Sequence, residues 1–325
     1  MNLCRLNYYG CKKKPKDISI RGREMNSIPK QKIAIIVKTH TEDLKLFETL
    51  YESIERYNVE NIPIVVICPK NCIDSISNIS SCIRIVDEKV LLDEEPYSVR
   101  GLSKGYITQE LLNLSFHYLE EYENYLAVDS DSKFLKPFYV SDFFDDRGDL
   151  YTVLTEDKDL QIDPYYASYS SPRQNDIRKI FQAFELPNKK LLQVQLNPLI
   201  SQKASRSLSD VGFPSIGVSK MQALEISPFD FNWYTAWLLK SKVIPVVPTE
   251  PLFKTFHTRS QYVHSLSQGL TEKDIAQAYI GVIYNSNWFK RYQNETRIKR
   301  HMADIRTDHY YYRALKSLKR RIPFV

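Results

Sequence analysis

The sequence predicts an α/β fold: a mainly parallel central sheet flanked by helices, in a single domain with terminal extensions. Three observations carry this. Short continuous apolar runs recur through the first half of the chain, as strands buried on both faces require. Stretches with helical spacing of apolar residues separate them. One run ends directly in two aspartates, at the place where a parallel sheet meets its ligands.

Residues 1–30 are polar and basic, broken by Pro15 and Pro29, and read as a loosely ordered leader. Residues 33–37 (IAIIV) form the first buried strand. A helix starts near Thr41, with Glu42 and Asp43 in its first turn, where they complement the helix dipole. Leu44, Phe47, Leu50, Tyr51 and Ile54 give it one apolar stripe. Residues 62–68 and 83–86 supply the second and third strands. Residues 104–121 read as one long helix, with Ile107, Leu111, Leu114 and Tyr118 on one face, leading into a fourth strand at 125–128. Further on, strands are expected near 150–155, 193–200 and 243–247, and helices near 218–225, 230–241 and 271–284. Thr271 and Asp274 form the capping box that opens the last of these. No linker interrupts 31–300, and 301–325 is a basic tail.

Composition narrows the function classes. With 43% hydrophobic and 26% charged residues, the chain is of the folded globular kind. Only 9 glycines are present, and neither the dinucleotide fingerprint nor the P-loop occurs. The net charge of +6 is concentrated at the ends, in Lys12, Lys13, Lys14 and Lys16 and in Lys316, Lys319, Arg320 and Arg321. Such clusters suit an anionic membrane surface, and equally a solvated tail. Cys4, Cys11, Cys68, Cys72 and Cys82 have no metal-ligand spacing and read as reduced thiols of an intracellular protein. With no signal-peptide core or membrane-length apolar run, the expected location is cytoplasmic, with peripheral contact at the inner membrane face through the basic ends.

The sharpest feature is Asp129-Ser130-Asp131, directly after the fourth strand. Two carboxylates this close repel unless a cation lies between them, and Mg²⁺ or Mn²⁺ bound through few protein oxygens plus substrate phosphates resolves the conflict. The same aspartates could also simply cap the turn after the strand.

With VKTH (37–40), GYITQELLNL (105–114), VDSDSKFLKP (128–137) and FKTFHTRSQY (253–262), the chain resembles glycosyltransferases of the GT-A type. More narrowly, it is similar to a little-described group of predicted bacterial surface-polysaccharide glycosyltransferases. The resemblance covers roughly residues 32–290. It implies a nucleotide-sugar-binding half at 31–140 and an acceptor-binding half at 141–300. It implies that Asp129 lies near the donor sugar and helps hold the metal, and that Asp131 ligates the metal. His257 then completes the metal site, with His264 as the spare. Lys38, Thr39 and His40 fall where such enzymes hold the nucleotide, with Ser130 also on the donor side.

Arg100, Lys104 and Gln109 lie at or near the start of the helix before the acidic strand. The two cations there could contact diphosphate oxygens, or be solvated charges. Asp210, Glu225 and Asp230 are the acids available as a catalytic base. Trp233, Tyr234 and Trp237 offer flat faces for a sugar ring, although the spacing of the tryptophans also suits the core of a helix. The resembling group carries an acidic residue where this chain has Trp233, which leaves the base unassigned.

The function expected is metal-assisted transfer of a sugar, from a UDP-sugar or another nucleotide sugar, to a glycan hydroxyl in surface-polysaccharide synthesis. A sugar-phosphate nucleotidyltransferase and a degenerate glycan-binding domain are the alternatives. No nucleic-acid motif accompanies the dispersed tyrosines, so nucleic acid is not an expected partner.

Overall fold

The computed structural model describes residues 31–156, 158–187, 191–192, 196–296 and 299–300. The basic leader and tail, with Cys4 and Cys11, lie outside the described residues.

β1 (Ala34–Lys38), β2 (Ile64–Cys68), β3 (Arg84–Asp87) and β4 (Asn124–Asp129) are parallel, and β7 (Leu199–Ser201) adds an antiparallel edge, in the order β3-β2-β1-β4-β7. β5 (Ser132–Phe134), β10 (Gly281–Tyr284) and β9 (Phe253–Phe256) form a second sheet in the order β5-β10-β9. β6 (Tyr151–Val153) and β8 (Val247–Thr249) pair separately. The result is one mixed α/β domain with a mainly parallel central sheet.

The apolar runs are continuous because alternate residues feed two cores. Ala34, Ile36, Tyr125 and Ala127 point to one face, packed by α3 (Lys104–Leu114), α5 (Ala167–Ala183), α8 (Lys220–Ile226) and α9 (Asp230–Ser241). Ile35, Val37, Leu126 and Val128 point to the other, against α1 (Leu44–Tyr57), α2 (Ile73–Ile79) and the aromatics Phe134, Phe138 and Phe253. Each buried Ile, Val or Leu contributes roughly 1.5–3 kcal/mol, so both layers are needed to stabilise the sheet. α4 (Lys158–Ile162), α6 (Gln202–Ser207), α7 (Phe213–Ser215), α10 (Arg259–Ser267), α11 (Glu272–Ala278) and α12 (Ser286–Asn294) complete the helices used below. No helix among the described residues is long and apolar enough to cross a membrane.

Three expectations are corrected. The helix at 104–121 stops at Leu114, because the Ser115 hydroxyl donates to the Leu111 carbonyl at 2.9 Å and a 3₁₀ turn follows. Tyr118 is consequently 41% exposed rather than on the buried face. The helix at 271–284 opens on its capping box but ends at Ala278, and 281–284 is a central strand of the second sheet. Gly281 is required there: a Cβ would fall into the Phe253 ring and lie 2.7 Å from the Lys133 carbonyl. The strand placed at 243–247 begins only at Val247, after Pro245. β7, α5 and α9, all from beyond residue 140, pack on the first sheet.

Candidate active site at the switch point of the sheet

From β1 the chain runs outward through β2 and β3, then returns to the opposite side of β1 as β4. The carboxyl ends of β1 and β4 are therefore the point where strand order reverses, and a crevice for ligands opens there. Lys38 and Asp129 are register partners across it, with Nζ and Oδ1 4.0 Å apart. Lys38-Thr39-His40 and Asp129-Ser130-Asp131 thus leave adjacent strands side by side.

Two local devices hold this turn. Asn197, in the left-handed region at φ 59° and 2% exposed, accepts from the Asp129 N–H at 3.0 Å and donates to Ser132 Oγ at 2.9 Å. The start of antiparallel β7 thereby clamps both ends of the acidic tripeptide. On the β1 side, His40 Nδ1 accepts from the Glu42 N–H at 3.3 Å while Nε2 meets Asp43 Oδ2 at 2.8 Å. A neutral ring protonated on Nε2 satisfies both contacts, so His40 caps the following turn.

Asp131 carries the strongest electrostatic signal. Its Oδ2 accepts from the Ser286 N–H at 2.6 Å, at the first turn of α12, while its Oδ1 is buried with no partner. Burial, then the neighbouring charge of Asp129, pushes its pKa up to about 7, against the lowering effect of the Ser286 bond. Asp43 adds negative charge nearby and is itself paired with Lys290 from α12.

The second sheet points His257 toward the same end. The Asp131 carbonyl accepts from Tyr284 N–H at 3.0 Å, and Tyr284 is the register partner of Phe256. His257 follows Phe256, about two strand spacings or roughly 10 Å from Asp131 along the backbone row. Its ring lies 4.4 Å from that of Tyr166, its Nε2 is buried without a partner, and burial with the charges of Arg173 and Lys254 pushes its pKa down to about 3. It is a neutral imidazole. It also lines a cavity of about 430 Å³ with Thr155, Glu156, Lys158, Glu250 and Lys254. His264 is exposed and meets the Tyr165 hydroxyl at 3.3 Å.

The fit of this donor set to a hard divalent cation is partial. A carboxylate oxygen buried without a partner, destabilised by a second carboxylate, is what such an ion relieves. A buried neutral imidazole is also a competent ligand. Among the described residues, however, no three His, Cys, Asp or Glu side chains are gathered closely enough to hold an ion. Asp129 and Asp131 fit the cation; His257 shares their end of the sheet without being gathered with them.

Other site expectations are redistributed. Asp230 is buried at the start of α9, in the wall near Lys38, where its N–H donates to Glu110 Oε2 at 3.2 Å. Glu225 is exposed on α8 and bonded by the Tyr97 hydroxyl at 2.5 Å. Asp210 is exposed beside His117, in the segment that precedes β4, and so at the opposite end of the sheet. Asp210 is therefore away from the crevice. Arg100 makes a two-pronged bond to Asp176, at 2.8 and 3.3 Å, that ties its turn to α5, and Lys104 forms an exposed pair with Glu95 at 2.6 Å. Both cations are engaged in ion pairs with these carboxylates; Gln109 is half-buried on α3.

The expected acceptor platform is core. Trp233 is 0% exposed, with its indole N–H on the Ser227 carbonyl at 2.9 Å. The Tyr234 hydroxyl accepts from the Ser201 N–H at 2.9 Å, and Trp237 donates to Ser207 Oγ at 3.1 Å. None offers an open face to a sugar ring.

Asn197, Glu110, Ser286 and Lys290 were not identified from the sequence. Two had signals. Asn197 precedes Pro198, a turn-forming pair, and Glu110 interrupts the apolar face of its helix between Ile107 and Leu114.

A protein-family profile described as "Family of unknown function (DUF6492)" matches residues 30–171. No curated protein matches the chain. Among solved structures the chain is similar to mouse xyloside xylosyltransferase 1 in its apo form, at 11% identity and a TM-score of 0.49, over 79% of this chain and 98% of that one. It is also similar to the galactosyltransferase LgtC in complex with donor and acceptor sugar analogues, at 11% identity and a TM-score of 0.47, over 78% of this chain and 87% of that one. A third similar structure is the bifunctional glycosyltransferase WbbM, at 10% identity and a TM-score of 0.46, over 81% of this chain and 47% of that one.

Proposed function

We propose that the chain is a GT-A-type glycosyltransferase that moves a sugar from a nucleotide sugar, a UDP-sugar, to a hydroxyl of a glycan acceptor in surface-polysaccharide synthesis. One observation carries this: two carboxylates at the switch point of a parallel sheet, one with a buried, unpartnered oxygen and a pKa pushed up to about 7. A site of that kind is unfavourable until a cation and an anionic ligand reach it.

The chain's own residues have these roles. Asp131 and Asp129 hold Mn²⁺ or Mg²⁺, with His257 as the third ligand once it is drawn to them. A bound divalent cation neutralises charge on the departing diphosphate. Lys38, Thr39 and His40 flank the nucleotide along the end of β1, and Asn197 fixes the acidic turn. Ser286 orients Asp131 by holding Oδ2 and leaving Oδ1 for the cation. The acceptor belongs in the cavity beside His257, whose mixed charged and apolar walls suit a saccharide. Such a transferase works in the cytoplasm, with the basic termini contacting the inner membrane face.

Thermal unfolding against UDP, GDP, CMP and dTDP, each with and without Mn²⁺, tests the donor class. A ligand of the folded state raises Tm by mass action. The expected result is a rise with UDP that requires Mn²⁺. A rise with CMP alone and no metal effect would remove Asp129 and Asp131 from the donor site.

A further inference from the structure

Lys38 has anionic neighbours on two sides. On one stands Asp129, 4.0 Å away, and on the other half-buried Glu110 with buried Asp230, whose electrostatics both register the lysine. Asp230 is 4% exposed, its Oδ2 is buried, and its N–H donates to Glu110 Oε2 at 3.2 Å. The two carboxyl groups also lie within hydrogen-bonding reach of each other. An ionised carboxylate only accepts, so a bond between them requires a proton on one.

The surroundings allow one negative charge, not two. Lys38 from β1 is the cation facing the pair; Tyr106 on α3 and the Asn113 amide complete its contacts, and Arg173 from α5 faces Tyr106. Lys38 is already shared with Asp129 and its side chain is 9% exposed. A doubly ionised pair would leave an uncompensated charge in the interior. Burial accordingly raises the pKa of both acids, with the Asp230 charge raising Glu110 further.

We propose that Glu110 and Asp230 act as one acid unit that carries a single proton and whose remaining charge fixes the Lys38 ammonium at the switch point, making Glu110 a positioning residue for the donor. Of the three N–H donors on Lys38, one faces Asp129; the acid unit acts on the ammonium by its charge from beyond ion-pair distance, which leaves donors for a phosphate oxygen. The donor clause rests on the function proposed above; the shared proton does not.

Glu110→Gln separates the two parts, because an amide reproduces a protonated carboxyl, one donor and one acceptor. The folded unit keeps a proton that an unfolded glutamate releases near its ordinary value of 4.5, so wild-type stability falls as pH rises above that value. Glutamine has no such proton. Its Tm relative to wild type should therefore climb as pH rises above that ordinary value, with no ligand present. Parallel Tm curves, or a Glu110→Gln protein that fails to fold while Asp230→Asn also shows no climb, would overturn the shared proton.

UDP with Mn²⁺ is the second probe. Glu110→Gln should bind it within about threefold of wild type, while the double variant Glu110→Gln/Asp230→Asn, which removes the unit's charge, should lose roughly tenfold or more. Equal loss in the folded single and double variants would mean that an ionised Glu110 is needed, and would overturn the proposal. If wild-type protein binds no nucleotide, the donor clause falls with the proposed function and the Tm comparison still decides the shared proton.

Discussion

Asp131→Ala should leave a folded protein in which sugar transfer falls by roughly 10²-fold or more, as expected when a metal ligand is removed. The variant removes a carboxylate that the metal-free fold accommodates badly. Its buried Oδ1 has no partner, and its pKa rises from 3.8 to about 7 through burial and the charge of Asp129. The sign of the pH effect follows from that rise. A carboxyl that binds its proton more tightly in the folded state contributes stability at low pH, and that contribution is lost as pH rises through about 7. Metal-free wild type should therefore lose stability between pH 4 and pH 7 relative to Asp131→Ala, as followed by thermal unfolding in EDTA. Below pH 7 the proton also competes with the cation, so Mn²⁺ affinity should rise with pH and then level. An Asp131→Ala enzyme with wild-type turnover would remove the metal role from this residue.

Trp233→Ala should cost about 3–5 kcal/mol of stability, the range for deleting a fully buried aromatic side chain. Trp233 packs edge-on against Phe184 and Phe213, at 5.7 and 5.8 Å between ring centroids, and the Ser227 carbonyl loses its indole donor. At about 2–4 °C per kcal/mol for a domain of this size, Tm should fall by roughly 10 °C. Urea unfolding measures the loss directly. Had Trp233 been a sugar platform, the same variant would keep its stability and lose acceptor affinity, and that outcome would contradict the placement of α9 in the core.

The central sheet was legible because buried parallel strands read as unbroken apolar runs, and 33–37, 62–68 and 125–128 all lie within two residues of observed strands. The acidic turn was legible because position after such a strand limits what two aspartates can do. The second sheet was much less so. β10 is four residues long, GVIY, and pairs with segments far away in sequence, so its tail looked like a continuation of the α11 helix. The α9 aromatics failed for a different reason. Two tryptophans one helical turn apart describe a stacking surface and a core stripe equally well, and only the packing of α5 and α8 over them distinguishes the two. The two readings of Arg100 and Lys104 could not be separated in the sequence because charge sign is visible there while the partner is not: Asp176, 76 positions away, pairs with Arg100. Glu110 escaped notice since its meaning depends on Asp230, 120 positions later.

The central claim, a metal-assisted nucleotide-sugar site at the ends of β1 and β4, is tested most directly by release of nucleoside diphosphate from a panel of sugar nucleotides. Wild-type protein would be assayed with Mn²⁺, with EDTA, and with Mn²⁺ restored in excess. The predicted result is consumption of a UDP-sugar in Mn²⁺, arrest in EDTA, and recovery when Mn²⁺ returns. Turnover of the UDP-sugar at the same rate in EDTA, or a cooperatively folded protein that consumes no sugar nucleotide under any of the three conditions, would contradict it.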